Sequence, residues 1–279
     1  MARLVETRPE PRARGLVSDP SLEGRVQVGR HAPSPALRDV AMHHWVGRWS
    51  FPDGESHTTL LLADPCVNVV FERGGPHAGS RVVGVWTKLW RRTLEGDGLV
   101  RGMKLRPGAV QALFDRSAHL LRDRITPLTE VVSEDVRTLE RAVLEPDDDA
   151  EALAALEGWA TSRLRAEALA DASLAVAIAE RVTADASIVR VEQLSEVAGV
   201  SIRPLQRLFR AHLGASPKWV IRRNRLQEAA ARLERGEATQ LSALAVDLGY
   251  ADHAHFARDF KNAVGESPAA FRARLSSTC

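Results

Sequence analysis

The phrase Gly-x-Ser-Pro occurs twice near the C-terminus, in "GASPKWVIRR" (214–223) and "GESPAAFRAR" (265–274). Each copy closes a longer stretch that also repeats. Val191 aligns with Leu241, Leu194 with Leu244, Gly199 with Gly249 and Val200 with Tyr250. One extra residue then enters the second copy. Beyond it, Leu205 aligns with Phe256, Phe209 with Phe260 and Arg210 with Lys261, before the shared Gly-x-Ser-Pro. Self-similarity of this kind constrains the fold strongly, because one supersecondary unit must be built twice.

Local chemistry says what that unit is. Apolar residues at three- and four-residue spacing give a short amphipathic helix, then a glycine turn, then a second helix. Ser201 and Asp252 stand where the second helices begin and are good N-caps. Pro204 falls in the first turn after Ser201, where a missing N–H costs little. Gly214 and Gly265 suit the left-handed position that ends a helix. Ser-Pro then starts the next helix, with serine as N-cap and proline at the first helical position. The spacing predicts helix-turn-helix units at about 188–214 and 238–265, joined by a long linker helix at about 217–235. A plain helical duplication would also repeat. The glycine between a short and a longer helix favours the sharper reading, as does the arginine on each second helix and on the segment after Ser216.

The rest of the chain reads differently. Residues 1–35 are rich in Arg, Pro and Ser, and are expected to form a disordered tail. From about Met42 to Leu105 come short runs with β-branched and aromatic residues: "HTTLLLAD" (57–64), "VNVVFERG" (67–74), "RVVGVWTKLW" (81–90) and "LVRGMKLR" (99–106). Turn residues separate them, so antiparallel strands in a sheet or small barrel are expected. Helical patterns follow, interrupted by Pro127 and Pro146, with a last helix at about 171–184. The run Asp147–Asp149 reads as a helix cap and solvated turn. The fold class is therefore α+β: an antiparallel β-rich, barrel-like domain with helices over 36–184, then an all-α tandem helix-turn-helix domain over 185–279.

Charge points the same way. From Asp185 onward there are 14 Lys/Arg against 10 Asp/Glu, whereas the whole chain carries only +2. The basic excess sits on the repeat and is mostly arginine, whose planar fork suits phosphate oxygens. Two cysteines, Cys66 and Cys279, can make neither a disulfide framework nor a four-cysteine zinc site. No run approaches a membrane span, and the N-terminus lacks the apolar core of a secretory signal. A soluble, cytoplasmic protein without a membrane partner is expected.

The segments "LSEVAGVSIRPLQRLFRAHLGASPKWVIRRNRLQEAAARL" and "LSALAVDLGYADHAHFARDFKNAVGESPAAFRAR" closely resemble the DNA-binding domain of the AraC/XylS family of bacterial transcription regulators. Leu248-Gly249-Tyr250, Phe256, Phe260-Lys261, Gly265, Ser267-Pro268 and Phe271-Arg272 carry the likeness. It implies that each second helix enters the major groove, with successive grooves about 34 Å apart. Carried over, the base-contacting positions are Arg203, Gln206 and Arg207 in the first unit, and His253, Ala254 and Arg258 in the second. Arg210, Lys218, Arg222, Lys261 and Arg272 are the phosphate contacts. An arginine can fork onto guanine and a glutamine can pair with adenine, whereas Ala254 offers only an apolar contact. The second unit is thus expected to discriminate bases less. Around Asp64-Pro65-Cys66, Val69-Val70-Phe71 and Gly84, the N-terminal part looks like the sensor-type domain of AraC-like regulators. The resemblance implies a small-molecule effector, a homodimer or both for that part. It also implies promoter DNA as partner, and RNA polymerase for an activator.

Enzyme chemistry finds little support. His43 and His44 are adjacent, His253 and His255 do not share a helix face, and His31, His57 and His77 are scattered. Neither a metal nor any other cofactor is expected. Cys66 reads as a buried thiol rather than a nucleophile. Trp45, Trp49, Trp86 and Trp90 read as core before ligand lining, with Trp86 and Trp90 on one strand face. The reading is a non-enzymatic regulator. The alternative is a DNA-targeted repair or modifying enzyme that uses the repeat only for localisation.

Overall fold

The protein is described by a computed structural model over residues 24–61, 65–237 and 240–276. The first 23 residues of the expected tail, Asp64 and Cys279 lie outside the described residues. Among the described residues eight strands come first in the chain: β1 (Val26–His31), β2 (Ala41–Ser50), β3 (Ser56–Leu61), β4 (Asn68–Arg73), β5 (Gly79–Val83), β6 (Trp90–Glu95), β7 (Asp97–Leu105) and β8 (Ile125–Pro127). Six make an antiparallel sheet in the order β1-β2-β7-β4-β5-β8, and β3 pairs with β6 separately. Hydrogen bonding among the described residues does not close these sheets into a barrel, so the barrel-like description holds only loosely.

β1 is a difference from the sequence reading, since it lies inside the expected tail. "VQVGRH" is short and partly exposed, and its order comes from full register on β2, from Val26 opposite Trp49 to His31 opposite His44. "RVVGVWTKLW" is likewise not one strand. Gly84 lies so close to the Leu121 carbonyl that a Cβ there would sit 1.6 Å from its oxygen. The chain leaves the six-stranded sheet at that approach and enters the separate β3–β6 pair at Trp90. Trp86 and Trp90 therefore belong to a connection and a strand, although their rings still meet at 5.6 Å.

Both faces of the six-stranded sheet are covered. Val69, Phe71 and Met103 point to a core shared with helices, while Val70, Val83 and Val100 pack with Trp49, Phe51 and Leu94. A strand buried on both faces needs a continuous apolar run, which "NVVF" in β4 supplies. The helices on the first face are α1 (Val110–Phe114), α2 (Arg137–Leu144) and α3 (Asp149–Ser162). Asp148 caps α3 by accepting from the Ala150 N–H at 2.9 Å, as the acidic run suggests. Asp149 is not a solvated turn residue. It binds Arg101 of β7 and Arg48 of β2, and the Arg101 side chain is completely buried. Cys66 is buried, with its sulfur 3.5 Å from that of Met42.

The C-terminal helices are α4 (Ala166–Ala184), α5 (Val191–Ala198), α6 (Ile202–Leu208), α7 (Pro217–Glu234), α8 (Leu241–Asp247), α9 (His253–Val264) and α10 (Pro268–Ser276). α4 runs longer than its expected 171–184. Its Ala175, Ile178 and Val182 join the core of the first repeat unit with Leu194, Leu205 and Phe209. One helix thus braces the repeat from a segment that composition groups with the β-rich part.

Candidate nucleic-acid interface

In the first unit α5 ends at Gly199 (φ 63°), α6 follows, and the chain stops at Gly214 (φ 66°). The second unit repeats this with α8, Gly249 (φ 72°), α9 and Gly265 (φ 96°). A side chain at a helix-ending position of this φ would be strained, which is why glycine recurs there. Ser216 then accepts from the Trp219 N–H at 3.2 Å, with Pro217 leading α7. Ser267 does the same for Ala270 at 3.2 Å. Asp252 caps α9 through the His255 N–H at 2.7 Å, whereas Ser201 holds the N-cap position of α6 without a side-chain bond.

These caps fix which faces look outward. Leu205 and Phe209 are fully buried beneath α6, and Phe256 and Phe260 beneath α9. The opposite faces present Arg203, Gln206, Arg207 and Arg210 on the first unit, and His253, Ala254, Arg258 and Lys261 on the second, all exposed. Arg203, Gln206, Arg207 and Arg210 follow three- and four-residue spacing, so they form one row. The last turn after α6, Phe209–Leu213, is π-helical. That widening is not legible in the sequence. It ends at a buried glycine seated against the Ala118 carbonyl and Val85, so the tertiary contact governs it.

The phosphate candidates are placed less uniformly. Lys218 is exposed at the start of α7. Arg222 is engaged with Asp259 of α9, its NH2 donating to Oδ1 at 2.8 Å and its Nε lying 2.8 Å from Oδ2. This fork ties α7 to α9. Arg272 is half-buried on α10, and the neighbouring Arg274 donates to Glu266 at 2.7 Å.

Two positioning residues, Asp259 and Arg225, carry no sequence signal of their own. The Arg225 guanidinium lies 3.8 Å over the Tyr250 ring, and burial lowers its pKa. Tyr250 starts an aromatic ladder through Phe256 and Phe260 to Phe271, with successive centroids 5.3, 5.7 and 5.5 Å apart. Burial is the main reason that the Tyr250 phenol is pushed up to about 12. Because the chain has one tyrosine, phenolate absorbance reads this residue alone. A raised folded-state value means that its contribution is full below the unfolded value of about 10 and is lost as pH rises through the folded one. The expected alkaline titration midpoint is about 12. A midpoint near the free-phenol value in folded protein would contradict the packed ring.

The repeat is docked on the β-rich part rather than hung from it. Ala215 is buried in the same core as Val85, Ala118 and Leu121. Ser117 donates to the Ala211 carbonyl at 3.0 Å, and the Trp219 indole to the Thr87 carbonyl at 3.3 Å.

Two helix pairs joined by α7, each exposing a basic second helix, define a tandem helix-turn-helix DNA-binding domain. Residues 194–274 match the model of a Helix-turn-helix domain family, and residues 29–127 match a domain of unknown function, DUF6597. An uncharacterized HTH-type transcriptional regulator of Haemophilus influenzae is 38% identical over 86 residues, 31% of this chain and 28% of that protein. The XylDLEGF operon transcriptional activator of Pseudomonas putida is 34% identical over 82 residues, 29% of this chain and 26% of its own length. A solved probable AraC family transcriptional regulator from Rhodopseudomonas palustris is 30% identical, with 37% of this chain and 97% of that one covered at a TM-score of 0.33. Through its C-terminal third the chain belongs to the AraC family of DNA-binding helix-turn-helix proteins. It spans 28% and 26% of the length of the two curated relatives.

Proposed function

We propose that the protein is a bacterial, cytoplasmic transcription regulator that reads two adjacent major-groove segments of promoter DNA with α6 and α9. The observation that carries this reading is the pair of exposed basic rows, each held opposite a buried aromatic anchor. Arg203 and Arg207 suit guanine edges and Gln206 suits adenine, with less polar reach from His253 and Ala254. Arg210, Lys218 and Lys261 place positive charge beside the backbone, where contacts set register rather than sequence. The β-rich domain supplies regulation, through a small-molecule effector or a second copy of the chain, and RNA polymerase is the further partner where the protein activates.

Selection of genomic fragments by the purified protein tests the proposal. The expected result is a site containing two short reading segments one helical turn apart. Recovery of fragments without a common sequence would overturn it. A second test separates phosphate contact from readout. Lys218→Ala is expected to weaken all DNA sequences alike and to reduce the slope of log affinity against log salt by about 1. Fluorescence anisotropy over a salt series measures both.

A further inference from the structure

The dock between the β-rich part and the repeat carries charge as well as packing. A single 3₁₀ turn, Ala118–Leu121, lies against the π-helical turn Phe209–Leu213 that ends the first unit. Ser117 gives its one hydroxyl proton to the Ala211 carbonyl at 3.0 Å. The His119 Nδ1, 2.8 Å from the same hydroxyl oxygen, is therefore the donor there. Ala211 follows Arg210, the last member of the exposed α6 row. On its other side, the His119 carbonyl accepts from the Arg122 N–H at 3.3 Å. The imidazole thus lies near two cations. Burial first, and then Arg210 and Arg122, lowers its pKa, so the ring adds no charge of its own at neutral pH. Arg122 is held by the residue that follows it. Asp123 takes a left-handed φ of 54°, uncommon away from glycine, and its N–H donates to the Val85 carbonyl at 2.8 Å. Its carboxylate accepts from the Thr87 N–H and hydroxyl, each at 2.7 Å. Committed to Thr87, it lies 4.0 Å from the Arg122 Nε, beyond hydrogen-bond reach. The Arg122 side chain is 52% exposed, so its charge is only weakly met within the chain.

We infer that Arg122 of the β-rich domain contacts a DNA phosphate beside the one met by Arg210, so that the nucleic-acid interface extends beyond the tandem repeat. This rests on the regulator reading and adds a surface to it. Two guanidinia near one neutral imidazole repel each other, and Arg210 has no ion pair among the described residues. A phosphate between or beside them offsets that repulsion, and the planar forks match its oxygens. Both side chains are exposed rather than enclosed, which suits a passing backbone more than a small anion. The contact carries no base preference, because it reaches only the backbone. It does couple DNA affinity to the dock. Arg122 reaches the phosphate only while Ser117 and the Ala118–Leu121 turn hold the first unit in place, so DNA favours the docked arrangement over any other.

The test uses the full chain and two duplexes, one of mixed sequence and one carrying the selected site, in a salt series read by fluorescence anisotropy. Arg122→Ala should weaken both duplexes by the same factor and lower the slope of log affinity against log salt by about 1. Arg122→Lys keeps the charge and should restore the slope. Arg137→Ala removes an equally formal charge from α2, where the side chain is 83% exposed, and should leave affinity and slope at wild-type values. An unchanged slope in Arg122→Ala would overturn the proposal. So would an equal fall in Arg137→Ala, which would trace the effect to net charge alone. A lowered slope in Lys218→Ala within the same series would show that the regulator reading survives that failure. A wild-type chain that binds neither duplex would overturn both.

Discussion

Asp149→Ala lowers the unfolding free energy of the β-rich domain by about 3 kcal/mol, because it leaves a buried guanidinium without its counter-ion. Arg101 of β7 has no exposed side-chain surface. Its Nε and NH2 both reach Asp149 Oδ1, at 2.9 and 2.7 Å, while NH1 donates to the carbonyls of Val143 and Pro146 at 2.7 and 2.8 Å. The carbonyls keep their donors in the variant, but the charge is uncompensated. Arg48 provides the internal comparison. It binds the same carboxylate at 2.6 and 2.9 Å, yet its side chain is 41% exposed. Arg48→Ala should therefore cost no more than about 1 kcal/mol.

The pH dependence follows from the same cluster. Burial alone would raise the Asp149 carboxyl, but the hydrogen bonds from Arg48 and Arg101 outweigh it and hold the pKa below the ordinary value. The stabilisation is then complete above the unfolded value of about 3.9 and fades as pH falls through the lower folded value. The gap between wild type and Asp149→Ala should narrow below about pH 4, where the carboxylate begins to take up its proton. Urea titrations followed by tryptophan fluorescence read both effects as midpoint shifts. A destabilisation in Asp149→Ala no larger than in Arg48→Ala would mean that Arg101 finds compensation elsewhere.

The sequence made the repeat legible because its punctuation is local. A helix that ends at glycine and restarts at Ser-Pro depends on backbone φ and one side-chain bond, so Gly214, Ser216 and Pro217 state it directly. The buried rows Leu205–Phe209 and Phe256–Phe260 follow from helical spacing alone. What stays hidden depends on distant chain. Asp149 looks like one more acidic residue near an N-terminus, and its partner lies 48 residues earlier. β1 resembles a tail until β2 is beside it. Asp259 interrupts an otherwise basic helix face, and only the approach of α7 explains it. Even Gly84, visible as a glycine within an apolar run, gains its meaning from the Leu121 carbonyl that closes the space for a side chain.

Arg207→Ala should weaken binding to the selected site by about 1–3 kcal/mol, roughly 5- to 150-fold, and relax preference at one base position. Arg207 lies between the buried anchors Leu205 and Phe209, so α6 cannot turn to offer another side chain in its place. Its guanidinium is exposed and has no ion pair among the described residues, which leaves the whole fork free for a guanine edge. Arg222 differs, because its fork is spent on Asp259. Its removal should loosen the second unit rather than erase a base preference. Arg210→Ala supplies the control, since the proposed phosphate contact from the same row should, on removal, weaken every sequence alike. Competition anisotropy at one fixed salt concentration, with the four single-base variants at each position, separates these outcomes. If Arg207→Ala keeps both the affinity and the preference, α6 presents a different face to DNA. The row that its buried side defines would then not be the reading surface.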